Sequence, residues 1–228
     1  MNPLLTLLQI NDSMFPIGGF THSYGLESYV SQGLVHDVAT STIYAENMIR
    51  DNVYYNDAAF LAQTWGMLYE KQHTSKFQKQ DEFITAIKAP KEIREASRRL
   101  AIRFLKLTLD LKTDVKCKNY LKKIQTGILH GHYPVAFAMY AYANGLTLKD
   151  TLSAFYYNTL NGIVTNCAKL VPISQNDSQK ILFNLQGLIS ELVEKQEELD
   201  PDLVGLCAIG QEIRCMQHEK QYSRLYIS

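Results

Sequence analysis

Two groups of residues in this sequence have types and spacings that could support chemistry: a glycine-rich segment near the amino terminus and a close pair of histidines. The segment runs from Asp12 to Glu27 and combines one proline, three glycines and several hydroxyl residues. Because glycine reaches positive φ angles without steric cost, this composition predicts unusual backbone angles or close backbone approach. A glycine turn in front of a helix could also cradle a phosphate group.

Phosphate binding needs further residues that the segment lacks. A P-loop requires G-x-x-x-x-G-K-[ST], and a dinucleotide site requires G-x-G-x-x-G after a strand. Neither pattern surrounds Gly18 and Gly19, so a structural turn that allows tight packing is the favoured interpretation. Glu27 closes the segment and is expected on the first turns of the following helix.

The histidine pair is His130 and His132, separated by a single glycine. Such a pair supplies two metal ligands at most, whereas structural zinc sites use about four protein ligands and catalytic sites about three. The other histidines and the cysteines are dispersed along the chain. The sequence therefore predicts a loop histidine pair without a tightly bound metal or cofactor, and leaves a weak nickel or zinc contact open.

Motifs for nucleophilic catalysis are missing from the sequence. It contains no G-x-S-x-G elbow, and no cysteine lies in a recognisable activating motif. Acidic pairs on predicted helices, such as Glu194 with Glu198, are typical of a solvated face. The sequence therefore gives no support for nucleophilic or acid–base catalysis, and it leaves open a site assembled from residues that are distant along the chain.

Lys169 and the carboxyl end both raise the question of a partner. Residues 151–168 carry no charge, so Lys169 enters at the end of a long apolar helix. There it either faces the helix dipole, extends its ammonium to water, or lies beside a protein interface. The carboxyl end contains Tyr222, Leu225 and Tyr226, which are costly to leave in water. This end either docks on its own domain or becomes ordered against a partner.

Composition limits the class of protein. A chain of 228 residues, 46% of them hydrophobic, can form one domain with a sizeable core. Basic and acidic residues number 23 each, so no uniform basic face is implied and nucleic-acid binding is disfavoured. The cysteines lack C-x-x-C spacing and the amino terminus lacks signal-peptide features, which favours a cytoplasmic protein. The uncharged stretch 124–148 contains proline and glycine, and predicts a buried helix-turn segment, not a membrane span.

Helices must position these residues, because helical spacing dominates and strand alternation is almost absent. The sequence predicts an all-α fold, with a single compact domain of about ten helices over residues 1–228. The tail at about 219–228 either docks on this domain or is ordered by a partner. The clearest amphipathic helix begins at Pro90. Residues 72–81 are predicted to be an exposed connection, and turn 174–178 to cap the next helix through Asp177 or Ser178. Other helices are expected within 38–65, with a break at 54–57, and over 150–169, 178–198 and 203–217.

Five motifs follow one another along the chain: Leu7–Glu27, Lys88–Leu100, His132–Ala136, Lys169–Gln175 and Tyr222–Tyr226. Taken together, they resemble UreF-type urease accessory proteins over most of the chain. Any one of these motifs would be weak evidence, but five of them in the order found in the family are specific.

The resemblance implies a dimeric protein without enzymatic activity or a cofactor of its own. Proteins of this type join a UreD/UreH-type scaffold and the GTPase UreG in a complex that matures apo-urease through lysine carbamylation and nickel insertion. UreF is thought to bridge scaffold and GTPase and to gate GTP hydrolysis. Glu27 and Lys169 would then lie on the GTPase-facing or gating surface, and Tyr222, Arg224 and Tyr226 would be contacts ordered by the scaffold. Further partner-binding candidates come from the glycine-rich segment: Pro16, Gly18, Gly19, Ser23 and Gly25.

Two other classes of protein remain open at this point. One is a helical metal-dependent enzyme that uses His130 and His132. The other is a general helical adaptor unrelated to urease. Tight stoichiometric metal binding would favour the first, and failure to associate with a UreD/UreH-type protein would favour the second.

Overall fold

A computed structural model describes residues 2–19, 22–70, 74–222 and 224–226. These residues form twelve α-helices, and none of them lies in a β-strand, so the predicted all-α fold is confirmed. The helices are α1 (Pro3–Asn11), α2 (Leu26–Ser31), α3 (Val38–Asn47), α4 (Asp57–Tyr69), α5 (Thr74–Ile87), α6 (Lys91–Leu111), α7 (Val115–Gln125), α8 (Tyr133–Ala143), α9 (Leu148–Leu170), α10 (Gln175–Asn184), α11 (Gln186–Lys195) and α12 (Ile209–His218).

Helix α8 lies at the centre of the molecule, where it packs mainly against α4 and α6. Every residue from Pro134 to Ala141 is buried. A helix that is apolar on all sides is stable only when other elements surround it, which explains why the stretch 124–148 carries no charge. The prediction of a buried helix-turn segment there is confirmed.

An aromatic cluster joins α6, α8 and the glycine-rich segment. Phe104 of α6 is fully buried. Its ring centroid lies 5.6 Å from those of Tyr133 and Phe137, 5.7 Å from that of Tyr140 and 6.1 Å from that of Phe15. Edge-to-face pairs at this spacing add to the free energy of burial. Phe15 therefore attaches the glycine-rich segment to the core.

The connection predicted over 72–81 is wrong for residues 74–81, which belong to α5. Residues 72 and 73 lie outside the described part of the chain. The predicted exposure is present at Ser75, Lys76, Gln78 and Lys79, whereas Gln80 and Asp81 are buried. Gln80 pairs with the Thr64 hydroxyl at 3.0 Å, and local propensity cannot indicate such a buried hydrogen bond between α4 and α5.

Several helix boundaries follow from local chemistry. The break predicted at 54–57 is present, because a π-helix (Met48–Val53) follows α3 and α4 begins at Asp57. Ser174, not Asp177 or Ser178, caps α10, since its hydroxyl accepts the Asp177 amide at 3.0 Å. A serine just before the first helical residue is well placed for this bond. Within the described residues, no helix is both long and apolar enough to cross a bilayer.

Candidate functional site

Gly25 sets the position of α2 relative to α12. It precedes the helix with a φ of 83°, a left-handed conformation that costs other residues energy. A Cβ added at Gly25 would lie 3.0 Å from the Cys215 Sγ and 3.2 Å from the Cys215 backbone nitrogen. The missing side chain therefore allows α2 and α12 to approach closely.

Glu27 lies on the buried face of α2, with 9% of its surface exposed. One of its oxygens lies 2.6 Å from His218 Nε2 on α12. The carboxylate also accepts the backbone amides of Leu225 at 2.8 Å and Tyr226 at 3.2 Å. It is therefore directed at the chain's own carboxyl end and not at open solvent.

Glu92, on the first turn of α6, completes the arrangement. Its Oε2 lies 2.9 Å from His218 Nδ1, and its Oε1 accepts the Arg224 guanidinium at 2.6 Å. His218 is fully buried between the two carboxylates. We call Glu27, Glu92, His218 and Arg224 the tail cluster, because it joins α2, α6 and α12 to the carboxyl-terminal residues.

The tail, residues 219–228, docks on its own domain where the structure describes it. Tyr226 is buried, and the Lys169 ammonium at the end of α9 lies 6.0 Å from its ring centroid. A cation at this distance from a tyrosine ring is attracted to it. Tyr222 and Leu225, in contrast, are almost fully exposed. Whether a partner orders the tail further stays a prediction, and residues 223, 227 and 228 lie outside the described residues.

The cluster brings together candidates that the sequence offered separately. Glu27, Lys169, Arg224 and Tyr226 converge within one small region, although up to 199 positions separate them along the chain. Tyr222 is near them in sequence but points away from the domain, since its side chain is exposed.

The remaining candidates lie apart from the tail cluster. Pro16 is exposed and Gly18 has a φ of 83°. Gly19 and Ser23 line a cavity of about 140 Å³ beneath the glycine-rich segment. The Lys88–Asp57 ion pair, at 3.0 Å, also borders this cavity. The segment therefore covers a partly polar cavity on one side and positions Glu27 at its end.

Comparison with known proteins decides the family. A model of the UreF family matches residues 35–186, more than half of the chain. The chain belongs to the UreF family. Urease accessory protein UreF of Haemophilus influenzae strain PittGG is 40% identical over all 228 residues, and the match covers 97% of that relative. The protein of the same name from Actinobacillus pleuropneumoniae serotype 5b is 38% identical with both chains fully covered, and that of Arthrobacter sp. strain FB24 is 31% identical over 98% of this chain and 96% of the relative.

Membership confirms the UreF resemblance of the sequence motifs. Sequence reasoning nevertheless missed two members of the tail cluster, Glu92 and His218. Glu92 belongs to a matching motif, but it read as one charge among many on an amphipathic helix. His218 read as a dispersed histidine, because 191 positions separate it from Glu27 and 126 from Glu92.

The histidine pair in this UreF-family chain has a structural environment. The backbone amides of His130 and Gly131 donate to Asp81 at 2.7 and 2.8 Å, and that of His132 donates to the Tyr120 hydroxyl at 3.1 Å. The His132 ring is buried, with its nitrogens 2.9 Å from Thr85 Oγ1 and 3.3 Å from Ser97 Oγ. Both ring nitrogens thus have hydroxyl partners. Among the described residues, no group of three or more potential ligands could hold a metal ion.

We expect His132 to make stability depend on acid. Burial lowers the pKa of His132 from 6.5 to about 3. Between these two pH values, the unfolded chain therefore binds a proton on this histidine and the folded chain does not. The resulting stabilisation is complete above pH 6.5 and is lost as the pH falls from 6.5 towards about 3. Over this range, the free energy of unfolding measured in urea should fall more steeply with decreasing pH in the wild type than in His132→Asn.

The matched control is His36→Gln, which changes an exposed histidine. This variant should keep the wild-type dependence on pH. Equal slopes of the free energy of unfolding against pH for the wild type and His132→Asn would contradict the expectation.

Proposed function

We propose that this chain is a urease accessory protein that acts without catalysis of its own. It bridges a UreD/UreH-type scaffold and the GTPase UreG, and the assembled complex inserts nickel into apo-urease. Membership of the UreF family over the whole chain supports the role in urease maturation. The observation that carries the bridging role is the docked tail, which holds two apolar side chains in water.

Tyr222 and Leu225 are the residues that this proposal assigns to the scaffold. Their exposed fractions are 107% and 82%. Neighbouring Tyr226 is buried and the amides of Leu225 and Tyr226 are bound to Glu27, so the backbone at these two residues is held in place. A held segment loses less conformational entropy on binding than a free one. This arrangement suits a scaffold protein that covers both side chains.

Helix α12 also carries exposed apolar side chains. Ile209, Ile213 and Met216 are partly exposed and follow one another at helical spacing. Because α12 leads directly into the tail, we assign these side chains, together with those of Tyr222 and Leu225, to one scaffold-binding surface.

Lys169 and Glu27 are the proposed gating residues for the GTPase. Lys169 is exposed at the end of α9, and Glu27 lies behind Tyr226. A GTPase that contacts Lys169 would therefore also sense whether the tail is docked. The proposal includes a homodimer, which light scattering of the purified protein tests directly.

A binding experiment with purified proteins tests the proposal. The double variant Tyr222→Ala/Leu225→Ala should bind the scaffold protein about tenfold more weakly or worse, because buried aromatic and aliphatic anchors dominate binding free energy. Isothermal titration with the purified UreD/UreH-type protein measures the change. The fold should be intact, since both side chains are exposed.

The matched control is Tyr69→Ala/Leu111→Ala, which removes an exposed tyrosine and an exposed leucine from the ends of α4 and α6. It should bind as the wild type does. Scaffold affinity that is unchanged in the tail double variant would contradict the assignment, and no binding by the wild type would overturn the proposed function itself.

A further inference from the structure

The two ring nitrogens of His218 face two different carboxylates. Nε2 lies 2.6 Å from Glu27 and Nδ1 lies 2.9 Å from Glu92, and the ring is fully buried. An ionised carboxylate only accepts hydrogen bonds, and a neutral imidazole donates from one nitrogen alone. Both contacts are therefore favourable together only when each nitrogen carries a proton.

We propose that the tail cluster is a proton-dependent binding site for the chain's own residues 224–226, in which doubly protonated His218 keeps the tail docked. The ligand is a short peptide that offers one guanidinium and two backbone amides. The inference concerns regulation of the surface described under the proposed function, and its importance for urease maturation rests on that function.

Loss of one proton from His218 would weaken the attachment of the tail whichever nitrogen lost it. If Nε2 were deprotonated, its lone pair would face Glu27, which accepts the Leu225 and Tyr226 amides. If Nδ1 were deprotonated, its lone pair would face Glu92, which accepts Arg224. Each carboxylate thus has two tasks, because it contacts the imidazole and also holds the tail.

The charge balance of the tail cluster also favours a protonated His218. With His218 protonated, one imidazolium and the Arg224 guanidinium balance the two carboxylates of Glu27 and Glu92. With a neutral ring, one negative charge in this largely buried cluster loses its counterion. An unbalanced buried charge is strongly unfavourable, and movement of Glu27 or Glu92 toward water would detach the tail.

Among the described residues, further charged and titratable groups lie around the cluster on α9, α12, α6, the loop before α2 and the tail. They include Lys169, Cys215, Glu212, Glu219, Arg99, His22 and Tyr226. Burial lowers the pKa of His22 to about 4 and raises that of Cys215 to about 12, and burial also raises the pKa of Tyr226. Lysine and arginine stay charged, and carboxylates are ordinarily ionised, above about pH 5. Within this set, His218 is the group whose two ring nitrogens both face carboxylates, and the proposal concerns its second proton.

Amide hydrogen exchange of the full-length protein tests the inference. NMR gives protection factors, corrected for intrinsic exchange rates, for the Leu225 and Tyr226 amides at about pH 6 and about pH 9. We expect both factors to fall by about tenfold or more at the higher pH, since each charge-assisted hydrogen bond contributes on this scale. The ¹⁵N shifts of the His218 ring, recorded on the same sample, should change from doubly protonated to neutral over the same range.

Variants separate the proton from other effects of pH. His218→Gln should show weak protection of both amides at both pH values, because glutamine does not titrate. His36→Gln alters an exposed histidine far along the chain and should keep the wild-type response.

Two results on the wild type would overturn the inference, even if His218→Gln failed to fold. One is equal protection of the two amides at both pH values. The other is a neutral His218 ring under conditions in which the tail is protected. Because neither measurement involves a partner, the proton-dependent site and the proposed function can fail separately.

Discussion

Glu27→Ala is expected to lower the free energy of unfolding by about 3–5 kcal/mol, the usual effect of removing one member of a buried ion pair. The substitution leaves the buried His218 ring and the Leu225 and Tyr226 amides without their acceptor. Urea unfolding at neutral pH measures the loss. A first-turn acid on a solvated face would instead contribute about 0.3–1 kcal/mol, so the size of the change reports directly on burial.

The control for this variant is Glu95→Ala on α6. Glu95 is half-exposed and pairs only at long range with Lys91 and Arg99, at 3.8 and 3.9 Å. Exposed pairs of this kind contribute about 0–1 kcal/mol. A loss for Glu27→Ala no larger than that for Glu95→Ala would contradict the buried cluster.

The expected instability of Glu27→Ala makes this variant a poor test of the proposed gating role. Reduced urease activation by this variant would not by itself show a gating role, because the domain and the tail are both perturbed. Lys169→Ala is the better probe of gating. Lys169 is exposed and its contact with the Tyr226 ring contributes about 0.5–1 kcal/mol. The fold should therefore persist, and the proposed gating role predicts a change in GTP turnover in the assembled complex.

Gly25→Ala is expected to cost about 2–4 kcal/mol, the sum of a left-handed backbone penalty and overpacking. The added Cβ would meet the Cys215 Sγ at 3.0 Å and the Cys215 backbone at 3.2 Å. Relief of this contact would push α2 away from α12 and draw Glu27 away from His218. Thermal and urea unfolding measure the stability, and exchange of the Leu225 amide reports on the tail.

Gly33→Ala is a control for the backbone term alone. Gly33 has a φ of 69°, and an added Cβ there would meet nothing within 4 Å. We expect a cost of about 1 kcal/mol. If both substitutions cost the same, close packing between α2 and α12 is not what Gly25 provides.

Much of the fold could be predicted because its signals are local. Helical spacing, the uncharged stretch of α8 and the break before Asp57 all arise between residues within a few turns of one another. Residues 74–81 were wrongly predicted to be a connection, because the buried hydrogen bonds that Gln80 makes with α4 are not visible in the sequence. Local propensity contains no information about such partners.

The candidate site, like the fold, could be predicted from the sequence only in part. The glycine-rich composition indicated a tight turn that ends at Glu27, and the resemblance to the UreF family indicated Lys169, Arg224 and Tyr226. Neither indicated that Glu27 is buried, nor that Glu92 and His218 lie beside it. Histidines and glutamates on amphipathic helices look alike in a sequence whether they face solvent or one another.

The sequence by itself thus determined the helical class, the family and the presence of a specially shaped segment before α2. These properties depend on side-chain periodicity, on backbone preferences and on motif order, all of which a linear chain displays. Only the tertiary structure decided that the tail folds back and that two carboxylates share one imidazole. That arrangement depends on contacts between residues 126 to 199 positions apart, and it exists only once α2, α6 and α12 are packed together.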